Sequence, residues 1–291
     1  MSSVRNLFFL LRPKQWTKNL FLFAALFFSK NAFCPYLTIR YFAGFILFCF
    51  ISSSHYIIND IIDRERDKLH PRKKMRPIAS GAVSVRSALV LSGLLALISF
   101  AGSYMISPKF FMVGMVYYIM NFFYSIKLKG VVIVDILCIA IGFVLRVIAG
   151  SYIGDIYVSN WLLICTLMLS LFLGFTKRRH ELVLLEQNAN PHRPILGEYS
   201  TLFLDQMISV VTTSTVVFYI LYTVALETIQ KFKTDNLIYT TIFVLYGIFR
   251  YLYIVYKKES GGDPTEALLT DIPLMINIFL WIIMAGIIVY R

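Results

Sequence analysis

YFAGFILFCFISSSHYIINDIIDRERD, residues 41–67, joins an apolar run of bilayer-spanning length to an acidic nonapeptide that follows it at once. A helix needs about 20 consecutive apolar residues to cross the hydrocarbon core, and runs of that length recur along the chain. Nine are predicted, near 17–34, 41–62, 86–106, 109–126, 131–153, 160–177, 202–226, 236–256 and 272–290. Helix is the expected form of each, because a lone spanning segment in lipid must satisfy its own backbone groups. Composition agrees. Of 291 residues 58% are hydrophobic and 15% charged, against roughly 25% charged in soluble domains, so much of the surface must face something other than water. The reading is an all-α integral membrane protein forming one domain over residues 1–291, with no cleaved leader: the apolar stretch behind Arg5, Arg12, Lys14 and Lys18 lacks a small-x-small cleavage site.

Orientation follows from lysine and arginine. With the N-terminus inside, 20 of the 28 fall on cytoplasmic ends and loops: the N-terminal four, eight from Arg64 to Arg86, Lys127 and Lys129, the Lys177–Arg193 group and Lys257–Lys258. Six lie outside, and Arg146 and Arg250 fall within spans. Such asymmetry sets topology. The formal charge of +12 therefore reflects orientation and anionic lipids or substrates rather than nucleic acid, for which no separate basic domain exists. The four cysteines are scattered singly, without metal-ligand spacing. Two cytoplasmic loops are long, about 63–85 and 177–200, and are expected to be functional.

On a helix Asn59, Asp63 and Asp67 stand at i, i+4 and i+8, one face, with Asp60 beside them. Carboxylates gathered where a helix leaves the membrane repel one another unless a cation sits among them, and hard oxygen donors suit Mg²⁺ bridging to phosphate. Asn59, Asp60, Asp63 and Asp67 are thus the candidate metal ligands. The plainer reading is a solvated helix end countered by Arg64, Arg66 and Lys68. His55 reads as an interior histidine. Downstream, HPRKKMRPIASG (70–81) sets basic residues, Lys73 and Arg76 among them, beside the acids, a pairing that holds and activates a diphosphate. Tyr124, Lys127 and Lys129 follow span four. Asp135 and Arg146, 11 residues apart, share a face of span five, and a buried arginine there pairs with an acid or an anionic substrate group. Lys177-Arg178-Arg179-His180-Glu181 can grip phosphate or serve as a basic helix flank. Arg250, with Gly261-Gly262-Asp263-Pro264-Thr265-Glu266 and Asp271, makes a third polar patch. His192 reads as loop structure.

NDxxDxxxD at Asn59–Asp67, RPIASG at Arg76–Gly81 and YSxxLK at Tyr124–Lys129, with nine spans, resemble the UbiA prenyltransferase superfamily. RPKQWTKN at Arg12–Asn19, Asp135 with GFVLR at Gly142–Arg146, KRRHE at Lys177–Glu181 and GGDPTE at Gly261–Glu266 resemble its decaprenyl-phosphate phosphoribosyltransferase branch. The resemblance implies nine transmembrane helices in a bundle with a cytoplasmic-side cavity in a bacterial inner membrane. It also implies Mg²⁺-dependent transfer of 5-phosphoribose from phosphoribosyl diphosphate to a polyprenyl phosphate, in cell-wall arabinan precursor synthesis. Asp60, Asp63, Lys127 and Arg146 would be the catalytic groups. Lys18, Asn59, Lys73, Arg76, Tyr124, Lys127, Asp135, Arg146, Lys177, Arg178, Glu181 and Arg250 would contact substrate. One departure matters: where aromatic prenyltransferases of the superfamily carry a second acidic run, this chain has the basic Lys177–Glu181 segment, which favours two phosphorylated substrates. Rival readings are an aromatic prenyltransferase with a prenyl diphosphate donor and a transporter lined by Arg146 and Arg250. Homo-oligomer formation stays open.

Overall fold

The structure is a computed structural model that describes residues 3–69, 73–187, 194–257 and 264–291. Among these, eight helices are long and apolar enough to cross a membrane: α1 (Pro35–Ile62), α2 (Val85–Ile106), α3 (Pro108–Ile126), α4 (Val134–Gly154), α5 (Asn160–Gln187), α6 (Thr201–Val224), α7 (Thr241–Lys257, which the 3₁₀ turn Asn236–Thr240 lengthens to a span of Asn236–Lys257) and α8 (Ile272–Tyr290). No strand occurs among the described residues. Proline opens α1, α3 and α8 near their first turns, where a missing N–H is harmless. Ser84, Ser200 and Asp271 cap α2, α6 and α8 through their side chains. Large apolar residues such as Leu97, Met105, Phe122 and Phe279 face outward, as a lipid-facing surface requires.

The chain divides into two compact units, Met1–Val131 with Leu145–Tyr157, and Val132–Val144 with Val158–Arg291, so α4 gives its first half to the second unit and the rest to the first. In the first unit α1 and α2 are joined by reciprocal bonds: Ser54 Oγ donates to the Ser92 carbonyl (2.9 Å) and Ser92 Oγ to that of Ser54 (3.0 Å). Small residues glue helices in this way where no hydrophobic force distinguishes helix from lipid. In the second unit the core lies along α5, α6 and α7, with Phe172, Phe175, Leu204, Ile208, Tyr251 and Ile254.

The span expected at 17–34 is not one continuous α-helix. A 3₁₀ segment, Pro13–Leu22, leads into a short α-helix, Phe23–Phe27. Arg12 enters it at φ 52° and Lys30 leaves it at φ 63°. Polar Gln15, Thr17, Lys18 and Asn19 interrupt the apolar pattern, and tertiary hydrogen bonds decide the local form instead. The segment runs antiparallel to α1. Trp16 Nε1 donates to Ser53 Oγ (3.0 Å), Asn19 Nδ2 to Ser52 Oγ (3.0 Å), and the Phe23 ring packs on Tyr41 and Phe45. Ten residues at about 2.0 Å and five at about 1.5 Å give roughly 27 Å of rise, close to the hydrocarbon thickness. The described parts of the two long loops carry helical structure. Helix Arg64–Leu69 and a 3₁₀ turn at Lys73–Met75 occupy the first, and α5 continues to Gln187 into the second.

Candidate active site

α1 breaks its regular geometry at Asp63, yet Asp63 N still bonds the Asn59 carbonyl (2.9 Å) and Asp67 N that of Asp63 (2.8 Å). The acidic run thus keeps a near-helical register into Arg64–Leu69. Asp60 and Asp67 are almost wholly buried, at 3% and 4% exposure. Burying a charge is tolerable only when it is paired, and Arg76 does the pairing. Its Nη1 lies 2.8 Å from Asp60 Oδ1 and 2.6 Å from Asp67 Oδ2. Arg12 Nη2 also reaches Asp60 Oδ1, while its guanidinium lies 5.3 Å from the Tyr56 ring centroid. Asp63 belongs to a different pair, with Lys129 Nζ at 2.6 Å. Glu65 points away and pairs with Lys68 at the surface, which holds its carboxyl below the usual range. Asn59 is half-buried on α1.

Among the described residues no three His, Cys, Asp or Glu side chains gather into a metal-holding group. The single cation pocket expected from Asn59, Asp60, Asp63 and Asp67 is therefore split. Asp60 and Asp67 do converge on one point, and a guanidinium nitrogen, a cation, stands at it. Two carboxylates aimed at one positive centre are a donor set that suits a divalent ion, so Asp60 and Asp67 fit the metal, whereas Asp63 is turned to Lys129.

The loop that carries Arg76 is anchored. Ile78 is buried with Leu10, Ile57 and Val83, and Val83 N bonds the Pro77 carbonyl (2.9 Å). Lys73 is half-buried on the preceding turn and Lys18 on the 3₁₀ segment, while Lys127 is exposed, three residues past half-buried Tyr124. Arg146 lies deeper in the first unit, at 4% exposure. Its Nε donates to Asn19 Oδ1 (2.8 Å), its Nη2 to Tyr117 Oη (2.8 Å), and it lies 4.8 Å from the Tyr117 ring centroid.

In the second unit Arg178 is enclosed rather than open to phosphate. Its Nε reaches Asp135 Oδ2 (2.6 Å) and its Nη1 Glu181 Oε2 (2.7 Å). Tyr199 Oη donates to Asp135 Oδ1 (2.8 Å) and accepts from Ile133 N (2.7 Å). Burial pushes the Tyr199 phenol up to about 12, so it stays a donor at neutral pH. The face shared by Asp135 and Arg146 does not make them partners; each has its own. Lys177 is half-buried on α5. Arg250 forms a two-pronged bridge to Asp271 (3.0 and 2.9 Å), the residue that caps α8. Glu266 is exposed, and His70–Arg72, His192–Arg193 and Gly261–Asp263 lie outside the described residues. Arg12 and Lys129 stand in the acidic site although sequence reasoning gave neither a role there. The signal available for both was membership of the RPKQWTKN and YSxxLK motifs.

The profile of the UbiA prenyltransferase family matches residues 19–283. The chain belongs to that family. It is 32% identical over 289 residues to a decaprenyl-phosphate phosphoribosyltransferase of Mycolicibacterium smegmatis, covering 96% of this chain and 91% of the relative. The enzyme of the same name from Corynebacterium glutamicum is 31% identical over 283 residues, 94% of this chain and 83% of the relative. Among solved structures, a UbiA homolog from Archaeoglobus fulgidus bound to GPP and Mg²⁺ superposes with a TM-score of 0.70, at 22% identity and 99% coverage of both chains. That likeness bears on the fold. This UbiA protein is accordingly a multi-pass membrane protein of a transferase family.

Proposed function

We propose that this UbiA protein transfers 5-phosphoribose from phosphoribosyl diphosphate to a polyprenyl phosphate, releasing diphosphate. The observation that carries the reading is the convergence of Asp60 and Asp67 on Arg76 Nη1, with Arg12 on Asp60 and Lys129 on the neighbouring Asp63. The near full-length similarity to decaprenyl-phosphate phosphoribosyltransferases supports the substrate pair. Asp60 and Asp67 would hold Mg²⁺, with Asn59 next to Asp60 in the chain and two turns before Asp67. The chemistry Mg²⁺ supplies when bound is neutralisation of charge on the departing diphosphate. Arg12, Arg76 and Lys129 would bind the diphosphate oxygens and orient the anomeric carbon. The acceptor phosphate is already anionic and attacks that carbon as the C1–O bond to diphosphate breaks, so no side chain need remove a proton. Buried Arg146, held by Asn19 and Tyr117, would keep the 3₁₀ segment and α4 together near the reacting groups.

The reading places the acidic end of α1 and the N-terminus on the cytoplasmic side of the plasma membrane, with Pro13–Phe27 as a ninth, partly 3₁₀ crossing, and treats residues 1–291 as one catalytic domain. Purified protein in nanodiscs, given Mg²⁺, radiolabelled phosphoribosyl diphosphate and decaprenyl phosphate, should move label into the organic phase. Asp60→Asn or Asp67→Asn should lower that rate at least ~100-fold, the scale on which removing electrostatic stabilisation acts. Product formed instead from a prenyl diphosphate and an aromatic acid, with phosphoribosyl diphosphate inert, would overturn the reading.

A further inference from the structure

The pairing of Asp60 and Asp67 bears on how a divalent ion reaches them. Arg76 Nη1 contacts both carboxylates, at 2.8 and 2.6 Å, and so fills the point on which they converge. With Arg12 on Asp60, two carboxylates face two guanidinium groups, and this buried cluster is neutral. A divalent ion added with both arginines in place would leave two uncompensated positive charges among groups that are 3% and 4% exposed, an arrangement that low local dielectric penalises heavily.

The two arginines are held differently. Arg12 sits in left-handed backbone at φ 52° with its guanidinium over Tyr56. Arg76 projects from an anchored turn, Ser80 N bonding its carbonyl at 2.9 Å, and its side chain is 28% exposed. The backbone is fixed and the side chain has somewhere to go.

We propose that Arg76 is the built-in occupant of the Asp60–Asp67 pair, and that it must swing off this pair for Mg²⁺ to bind, its guanidinium passing to the arriving diphosphate. The proposal rests on the reading that this acidic site takes a metal–diphosphate. The exchange leaves every charge paired: the ion replaces the guanidinium between the carboxylates, and its one extra positive charge, together with that of the displaced guanidinium, is met by the diphosphate oxygens. Metal and diphosphate then bind cooperatively, each weakly alone, and the coupling is reciprocal by linkage.

The test is Mn²⁺ binding to the purified full-length protein by equilibrium dialysis, read as the excess of Mn²⁺ in the protein chamber over a protein-free chamber at the same diphosphate concentration. With wild-type protein, Mn²⁺ alone should bind weakly, and inorganic diphosphate should tighten it at least ~10-fold, within the usual range of coupling energies. Arg76→Ala should tighten Mn²⁺ alone by ~10-fold and abolish most of the enhancement by diphosphate. These are opposite signs that a merely destabilised protein does not produce. Arg76→Lys keeps the charge on a flexible stem without the planar fork and should fall between, which preserves the test should the alanine variant elute as aggregate. Mn²⁺ alone binding Arg76→Ala no more tightly than wild type would overturn the exchange. Phosphoribosyl diphosphate in place of inorganic diphosphate forms a separate arm: if only the inorganic ion enhances Mn²⁺ binding, the exchange stands and the donor assigned under the proposed function falls.

Discussion

Two carboxylates two residues apart, Glu65 and Asp67, have opposite fates. Asp67 is 4% exposed and bound to Arg76, whereas Glu65 is 74% exposed on its side chain and pairs with Lys68 and, more loosely, Arg64 at the surface. Exposed ion pairs contribute little, so Glu65→Ala should leave the transfer rate within about twofold of wild type, while Asp67→Asn should nearly abolish it. Equal losses from both would mean that the run acts as a diffuse acidic surface. Arg12 offers a sharper case. Arg12→Ala leaves buried Asp60 with one of its two cations, and the expected outcome in steady-state assays is a KM for the diphosphate donor raised at least ~10-fold, the loss typical of a charged hydrogen-bond partner. The carboxylates were legible in the sequence because i, i+4, i+8 spacing is local. Their cations were not. Arg12 is 48 residues from Asp60 and Lys129 is 66 from Asp63, and pairing across such distances is a product of helix packing. The partners of Arg178 were hidden for the same reason: a basic helix end in the sequence does not disclose that the guanidinium meets Asp135, 43 residues away, and Glu181.

Hydropathy disclosed the long helices because α1 to α8 are apolar whichever way they pack. It missed the form of Pro13–Phe27 because polar Asn19 is buried against Ser52 and Arg146, a tertiary arrangement that local pattern does not encode. Its partner there is α4. A Cβ on Gly150 would lie 2.1 Å from the Leu22 carbonyl oxygen, so Gly150→Ala must push the 3₁₀ segment off α4. The expected result is a melting temperature in detergent several degrees lower together with weakened activity, whereas Gly93→Ala on α2, where nothing lies within 4 Å, should leave both unchanged. The start of α4 carries a second local strain. Ile133, β-branched, sits at φ 68°, a rare state for such a residue, and its N–H is held by Tyr199. Tyr199→Phe removes the acceptor for Ile133 N and the donor to buried Asp135. Leaving such groups unsatisfied costs about 1–3 kcal/mol each, and thermal denaturation should show the loss, while Mn²⁺ binding at the acidic site of the first unit stays intact.

Topology is decided by the molecule as a whole, and the helices fix more of it than any single loop. Between Ala82, exposed just before α2, and Asp235, exposed after α6, the chain runs through α2, α3, α4, α5 and α6. If each helix crosses once, five crossings are an odd number and predict opposite sides of the membrane for the two positions, whatever happens at the N-terminus. With the N-terminal four set aside, 16 of the other 24 lysines and arginines fall on the Ala82 side, an excess that predicts this side to be the cytoplasmic one. In a background without Cys34, Cys49, Cys138 and Cys165, an impermeant maleimide applied to intact cells stripped of their wall should label Asp235→Cys and not Ala82→Cys, with the pattern reversed in inverted vesicles. Labelling of both positions from one side would break the eight-helix count. The N-terminus tests the remaining segment. Arg12 touches Asp60 at the acidic end of α1, and Phe23 packs on Tyr41 and Phe45 towards its other end, so Pro13–Phe27 runs back along α1, and the proposed reading makes it a ninth crossing. An epitope tag before residue 1 should therefore be protected in cells and exposed in inverted vesicles, on the same side as Ala82→Cys. A tag found outside while Ala82→Cys stays inside would mean that Pro13–Phe27 does not cross, and Arg12 could not then reach Asp60.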